Sequence, residues 1–178
     1  MSIVTKKGDS GLTDFPDTAG KGYRQIKKDH PYIECIGTID ELDAFLALCG
    51  IALKSGGSKQ SADIIEKIRK ELLETVMPLT IKSIVSDKEA AEIYLNTEWI
   101  ENQIKELEKE NTARDFYRSW TNSAAAAINT ARTVCRRCER RIISAIADDK
   151  PEKRVLSWFN RVSDLLFLIA LKEEQPLR

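Results

Sequence analysis

The sequence is poor in histidine and aromatic residues and has no long apolar run. Its 178 residues include one histidine and four cysteines, and aromatic residues make up 7%. No apolar run reaches the roughly 18 residues that a membrane-spanning helix needs, and the N-terminus lacks the core of a signal peptide. The cysteines do not have the spacing of a disulfide framework or of paired zinc knuckles. We therefore expect a cytoplasmic protein with reduced thiols and no membrane partner.

Neither sign of charge prevails. Lysine plus arginine and aspartate plus glutamate number 28 each, and the pI is near 6.6. A chain with no net charge has no long-range attraction to nucleic acid, so a basic patch on it can act only on a ligand nearby. With 42% hydrophobic residues, the chain is long enough to bury a full core and short enough to form one domain.

Helical periodicity begins after a glycine- and proline-containing segment. Residues 1–31 contain four glycines and two prolines, which predicts an ordered loop or a disordered tail rather than regular structure. From Ile36 onward apolar residues recur every three or four positions, and strand patterns are nearly absent. The predicted helices begin at Ile36 and then cover 61–80, 87–110, 122–147 and 151–173. We expect an all-α, five-helix up-and-down bundle over residues 32–178.

The last helix is apolar on nearly all sides. Such a helix must be buried all round, which predicts contacts between subunits. Asn160 and Asp164 lie four residues apart on it, with Ser163 adjacent, so they form a polar stripe that needs partners. Taken alone, Asn160 fits a structural hydrogen bond as well as a ligand contact.

Three segments carry the polar groups of a candidate site. Thr5-Lys-Lys-Gly-Asp-Ser-Gly-Leu-Thr13 combines glycine, hydroxyl and lysine as a phosphate loop does, although it lacks the Walker A pattern and also fits a flexible polar terminus. Gly37-Thr-Ile-Asp-Glu-Leu-Asp43 looks like a helix start whose acids complement the helix dipole. Arg132-Thr-Val-Cys-Arg-Arg-Cys-Glu-Arg-Arg141 holds five arginines in ten residues.

Arg132, Arg136 and Arg140 share one stripe of that predicted helix, next to its apolar face. A half-buried arginine needs a carboxylate or a phosphate, and Glu139 alone cannot serve all three. Asp40 would satisfy one of them through an ion pair between helices. The alternative is a solvated basic face with ion pairs inside the helix itself. Cys135 and Cys138, although spaced as C-x-x-C, are interpreted as small core residues.

Together these blocks, with Phe159-Asn-Arg-Val-Ser-Asp-Leu-Leu-Phe167, resemble the PduO-type ATP:cob(I)alamin adenosyltransferases. The resemblance spans residues 5–167. It implies a five-helix homotrimer with active sites between subunits, which transfers the 5′-deoxyadenosyl group of ATP to the cobalt of reduced cob(I)alamin and releases tripolyphosphate. It also implies Mg²⁺ bound through the ATP phosphates, and a reductase and an adenosylcobalamin-dependent enzyme as candidate partners.

The resemblance assigns roles by position. It implies an ion pair between Arg132 and Asp40, both with catalytic roles. The residues that it implies for ATP binding are Thr5, Lys6, Lys7, Gly8, Asp9, Gly11, Thr13, Lys28 (with Lys27 as the alternative), Arg136, Arg137, Glu139, Arg140 and Asn160.

Phe116 matches the aromatic residue that displaces the lower axial ligand of the corrinoid, and Trp120 would lie near the corrin. The sequence departs from the family pattern at Lys7, where a threonine is usual, and at Ser119-Trp120-Thr121, which replaces a Pro-Gly-Gly turn. These departures leave open an ATP-binding sensor without transfer activity. A helical RNA-binding or scaffold protein is a third reading, which the neutral net charge disfavours.

Overall fold

The computed structural model describes residues 8–17, 22–85, 95–110, 119–146 and 153–174, and over these residues it is a bundle of five helices. This confirms the predicted number and order of helices. α1 covers Pro31–Ser55, α2 covers residues 59–85, α3 covers Glu98–Glu110, α4 covers Ser123–Ala145 and α5 covers Lys153–Glu174. α1 packs on α2 and α4, and α5 packs on α3 and α4.

α1 begins five residues before the predicted start at Ile36. His30 caps it, since its Nδ1 accepts a hydrogen bond from the backbone N–H of Tyr32 at 3.2 Å, and Pro31 follows at the first helical position. The block from Gly37 to Asp43 therefore lies inside the helix, so the expectation of an acidic first turn there was wrong. Asp43 instead accepts two hydrogen bonds from Arg69 of α2, at 2.9 and 3.1 Å.

The other helix boundaries differ from the predictions mainly at their ends. α2 is longer than predicted and contains a π-helical segment, Leu72–Val76. α3 begins only at Glu98; residues 95–97 are not helical, and residues 87–94 lie outside the described ranges. α4 begins where Asn122 caps it by accepting from the N–H groups of Ala124 and Ala125. Residue 147 and residues 151–152 at the predicted ends of α4 and α5 are outside the described part.

A β-hairpin replaces the irregular segment predicted before the bundle. β1, Leu12–Pro16, pairs antiparallel with β2, Tyr23–Lys27, so the expectation of no regular structure here was wrong. Phe15 is fully buried, and its ring lies 5.4 Å from the ring of Tyr32 in α1. This contact fixes the hairpin against the start of the bundle.

One subunit covers most of the apolar surface of α5. Seven of its large apolar side chains are buried among the other helices: Val155, Trp158, Phe159, Val162, Leu165, Leu166 and Ile169. Leu156, Phe167 and Leu168 are only partly buried, so contacts of this helix with a second subunit stay a prediction. Exposed apolar side chains lie instead on α1, at Leu48 and Ile51, and on α4, at Ile143. None of the helices within the described ranges is both long and apolar enough to span a membrane.

All four cysteines are free and buried, as expected for core residues. Burial raises the pKa of the Cys135 and Cys138 thiols, which keeps both protonated and unreactive. Among the described residues no group of three or more metal-ligating side chains comes together.

Candidate functional site

The hairpin brings the glycine-rich segment next to Lys28. The Nζ atom of Lys28 lies 2.8 Å from the point where a Cβ at Gly8 would stand, so this position of the amine requires glycine at residue 8. The backbone N–H of Lys28 donates to the carbonyl of Gly11 at 2.9 Å, and Gly11 has the positive φ of 76° that favours glycine. A lysine amine and exposed backbone thus share one small region. Thr13 follows in β1 and Asp9 is exposed, whereas Thr5, Lys6 and Lys7 lie outside the described residues.

Two of the five arginines of α4 are paired with glutamates of α1. Arg137 forms an ion pair with Glu41, and Arg141 lies 3.5 Å from Glu34. These pairs are about half exposed, so each adds at most about 1 kcal/mol. Their main effect is to hold α4 in register against α1. Both partners lie on another helix, so these two arginines do not form the ion pairs within one helix that the alternative predicts.

The other three arginines, Arg132, Arg136 and Arg140, form what we call the arginine stripe. Nε of Arg132 donates to Asn129 at 3.0 Å, and its guanidinium lies 5.9 Å from the ring centre of Phe167. Arg136 and Arg140 are exposed, and Arg140 donates only to the backbone carbonyl of Arg136, at 3.0 Å. Within the described ranges, none of the three has a carboxylate at ion-pair distance. The stripe is therefore available to an anionic ligand.

The electrostatics of the arginine stripe favour a bound anion. Burial lowers the pKa of Arg132, and the positive charge of Arg136 lowers it further. Neighbouring cations repel each other, and an anion between Arg132 and Arg136 would reduce that repulsion. A polyphosphate carries both the charge and the oxygen acceptors that guanidinium groups bind best.

Asp40 is exposed on α1 and forms no ion pair within the described part of the subunit. Its predicted partner, Arg132, contacts Asn129 and Phe167 instead. An ion pair between Asp40 and Arg132 is therefore not formed inside one subunit. Whether the two residues meet between subunits stays a prediction.

Glu139 and Asn160 contact each other. The Nδ2 atom of Asn160 donates to Glu139 Oε1 at 2.6 Å and to the carbonyl of Leu156 at 3.0 Å. Asp164, one turn further along α5, lies 3.0 Å from Arg161. Burial raises the pKa of Asp164, while the charges of Arg161 and Arg136 oppose this rise. The sequence singled out Glu139 and Asn160 separately, but no local pattern indicates a contact across 21 residues.

The segment before α4 is held by a residue that the sequence analysis missed. Glu174, at the end of α5, accepts from the backbone N–H of Thr121 at 2.9 Å and of Asn122 at 3.0 Å, and also from the Thr121 hydroxyl. Trp120 is half-buried and packs against the hydrophobic core. Phe116 lies outside the described residues. Glu174 is separated from its partners by 53 and 52 residues, so sequence spacing could not have revealed it.

Comparisons with known proteins agree on one family. A sequence model described as "Cobalamin adenosyltransferase" matches residues 3–173. The corrinoid adenosyltransferase of Bacillus subtilis is 30% identical over 173 residues, which cover 96% of this chain and 85% of that protein. The corrinoid adenosyltransferase PduO of Citrobacter freundii is 29% identical over 98% of this chain but only 50% of its own length. The chain thus spans about half the length of that relative.

Solved structures show the same fold. A variant PduO-type ATP:corrinoid adenosyltransferase from Lactobacillus reuteri, complexed with cobalamin and ATP, superimposes with a TM-score of 0.75 at 24% identity, covering 95% of this chain and 89% of that one. A second variant of that enzyme, complexed with ATP, gives a TM-score of 0.74. The family match extends over nearly the whole chain and includes each of the four sequence blocks. The chain therefore belongs to the cobalamin adenosyltransferase family, as the resemblance of its motifs predicts.

Proposed function

We propose that this protein transfers the 5′-deoxyadenosyl group of ATP to the cobalt of reduced cob(I)alamin, forming adenosylcobalamin and tripolyphosphate. The observation that carries the proposal is the arginine stripe, three guanidinium groups on α4 that have no carboxylate at ion-pair distance among the described residues. Membership of the family supports the choice of ATP and a corrinoid as substrates. The Lactobacillus reuteri relative was solved with both molecules bound.

The phosphates of ATP are the proposed ligands of two basic regions. One is the glycine segment beside Lys28, in which Thr5, Lys6, Lys7, Gly8, Asp9, Gly11 and Thr13 take part. The other is the pair of exposed stripe arginines, Arg136 and Arg140. The charge of Arg137 is already balanced by Glu41, so we give it the smaller role.

The reaction needs no protein nucleophile or general base. The electron pair of cobalt(I) attacks C5′ of the ribose, a cobalt–carbon bond forms, and the bond from C5′ to the triphosphate oxygen breaks. The triphosphate leaves with that bonding pair, so negative charge grows on its oxygen. Arginine and lysine groups already in position stabilise this charge and align the carbon with the metal. The single histidine, His30, has a different task as the cap of α1.

Mg²⁺ fits as an ion carried by the nucleotide. It retains several waters and binds through phosphates and one or two carboxylates rather than through an all-protein cage. Asp9 is an exposed carboxylate beside the glycine segment and is of this donor type. The ion would neutralise part of the phosphate charge.

The corrinoid is the proposed ligand of the region around Phe116 and Trp120. In this proposal an aromatic ring displaces the lower axial ligand, which makes the cobalt easier to reduce. A homotrimer with sites between subunits would let Asp40 of one subunit meet Arg132 of the next. Two observations on the described residues agree with this arrangement: Asp40 has no ion-pair partner among them, and no hydrogen bond or ion pair joins the hairpin to the arginine stripe.

The test is an anaerobic assay with ATP and chemically reduced cobalamin. We expect the absorbance change of cobalt–carbon bond formation, with one tripolyphosphate released per adenosylcobalamin formed. Reactions without ATP, and with the variant Arg136→Ala, serve as controls. ATP binding without bond formation would instead identify a sensor that has lost transfer, and absence of ATP binding would refute both.

A further inference from the structure

The carboxylate of Glu174 binds the backbone just before α4 with both of its oxygens. Oε1 accepts from the N–H of Thr121 at 2.9 Å and also from the Thr121 hydroxyl. Oε2 accepts from the N–H groups of Asn122 and Thr121, at 3.0 and 3.1 Å. Because two consecutive N–H groups must point at one carboxylate, these bonds fix the direction of the chain as well as its position. Glu174 therefore sets the path by which the chain enters α4.

The residues that enter α4 have little rigidity of their own. Residues 119–121 belong to no helix or strand, so no regular ladder of hydrogen bonds holds them. They include neither proline, which would fix φ, nor glycine, which would allow a tight turn. The side chain of Asn122 accepts from the N–H groups of Ala124 and Ala125, so it secures the helix and not the residues before it. The position of this segment thus depends on the contact with Glu174.

Trp120 lies directly before the two residues that Glu174 holds. Its side chain packs against the hydrophobic core but remains partly exposed. A large, rigid aromatic ring at the surface is suited to bind the apolar face of a macrocycle. Adjacent Cα atoms are joined by one rigid peptide unit, so a shift of the backbone at Thr121 also moves Trp120. The place of this indole is therefore linked to the carboxylate of Glu174.

We propose that Glu174 is a positioning residue for the corrinoid: it fixes the backbone of Thr121 and so holds the indole of Trp120 against the corrin ring. The inference rests on the proposed function, because it takes a corrinoid as the ligand of the region before α4. Loss of Glu174 should weaken corrinoid binding. ATP binding should be unaffected, since the proposed phosphate ligands lie in the glycine segment beside Lys28 and on the arginine stripe.

The experiment measures the binding of cob(II)alamin and of ATP separately, by calorimetry on the full chain. Without a reductant cob(II)alamin does not become the cobalt(I) nucleophile, so its Kd is obtained with ATP present and without turnover. An aromatic contact is worth a factor of roughly 2 to 12 in affinity. Glu174→Ala should raise the Kd for cob(II)alamin by that factor and leave the Kd for ATP within twofold. Glu174→Gln keeps one acceptor oxygen and should lie between Glu174→Ala and the wild type.

Glu173→Ala is the matched control. Glu173 is the neighbour of Glu174 in the last turn of α5, but its carboxylate accepts from the hydroxyls of Ser58 and Ser61, beside the start of α2, at 2.6 Å each. The substitution removes the same charge and also breaks hydrogen bonds at the end of α5. It should leave both Kd values within twofold. Melting temperatures of all variants show that each is folded at the temperature of the measurement.

A double-mutant cycle with Trp120 separates positioning from stabilisation. Trp120→Ala should raise the Kd for cob(II)alamin at least as much as Glu174→Ala does. If Glu174 acts through the indole, removing its carboxylate in the Trp120→Ala background should change this Kd less than twofold. A purely stabilising carboxylate would give additive losses in the double variant, and that result would overturn the inference.

The outcomes separate this inference from the proposed function. An unchanged Kd for cob(II)alamin in Glu174→Ala, or an equal rise in Glu173→Ala, overturns the inference and leaves the proposed function standing. A wild type that binds cob(II)alamin but forms no adenosylcobalamin after chemical reduction refutes the proposed function, and the Kd values of the variants still decide the inference. A wild type that binds no cob(II)alamin refutes both.

Discussion

On α4, arginines one residue apart have different surroundings. Arg136 and Arg140 are exposed and form no ion pair within the described residues, whereas Arg137 and Arg141 meet Glu41 and Glu34 of α1. Successive residues of a helix point about 100° apart, so a shift of one position moves a side chain from the neighbouring helix to the open face. In the proposed function, only the arginines of the open face bind the phosphates.

Replacing Arg136 should weaken ATP binding without unfolding the protein. A charged hydrogen bond to phosphate is worth roughly 1.5–3 kcal/mol, so Arg136→Ala should raise the Kd for ATP about 10- to 150-fold. Arg141→Ala is the matched control, because its ion pair is half exposed, and it should leave the Kd within twofold. Equal effects of the two substitutions would show that only the net charge of α4 matters.

Gly8→Ala should displace the Lys28 amine. The new Cβ would meet Nζ at 2.8 Å, and the flexible lysine can move away at little cost in stability. We expect an unchanged melting temperature and weaker ATP binding, measured by thermal denaturation and calorimetry. Gly50→Ala is the control: its Cβ meets nothing within 4 Å, and alanine in this helix should stabilise the fold by roughly 0.5–1 kcal/mol. An unaltered ATP affinity in Gly8→Ala would remove Lys28 from the site.

Short-range periodicity explains which site residues the sequence could reveal. The arginine stripe follows from the 3.6-residue repeat of one helix, and it was predicted. The contact between Glu139 and Asn160 depends on how two helices pack, and so does the ion pair of Asp43 with Arg69. No window of sequence contains both partners, so neither contact was predicted.

Among the secondary-structure elements, the hairpin of β1 and β2 differs most from the prediction. Its strands are five residues each, and only Phe15 and Ile26 are buried, so the alternation of apolar and polar residues is too brief to indicate a strand. The glycines and prolines around the hairpin also favour the prediction of a loop. The five helices, by contrast, have long apolar faces that periodicity detects well, and errors were confined mostly to their ends.

The contact of Glu174 with the start of α4 should make stability depend on pH. The hydrogen bonds from Thr121 and Asn122 lower the pKa of Glu174 below its usual 4.5, so the unfolded chain binds a proton more readily than the folded one. The stabilisation is therefore present above pH 4.5 and is lost as pH falls through the lowered pKa. Glu174→Gln should melt below the wild type at pH 6, and the difference should shrink below pH 4. A constant difference across this range would refute the carboxylate's role.

For the whole molecule, one subunit accounts for burial of the bundle core but not for the charges at its surface. α5 is mostly covered within the subunit, so its apolar character is weak evidence for assembly. Among the described residues, Asp40 and the arginine stripe have no ion-pair partner of opposite charge. We therefore expect a homotrimer on electrostatic grounds and from the family, with a mass three times the 20.1 kDa of one chain in sedimentation.

Mixing two inactive variants tests whether the site is shared. Asp40→Ala and Arg132→Ala should each abolish transfer, because each leaves its partner without a counter-ion. If the pair joins neighbouring subunits, trimers co-assembled from both variants contain some sites with Asp40 and Arg132 intact, and activity should return in part. Each variant assembled alone is the control. No recovery in verified mixed trimers would place the pair elsewhere or show that it does not form.

The end of α5 has a consequence for how the chain folds during synthesis. Glu173 accepts from Ser58 and Ser61 at 2.6 Å each, at the start of α2, while Glu174 holds the residues before α4. Two helices made earlier thus depend on two consecutive residues that leave the ribosome after all five helices have been translated. A nascent chain arrested before residue 173 would lack these hydrogen bonds beside both helix starts, and we expect them to form together when those two carboxylates emerge from the exit tunnel.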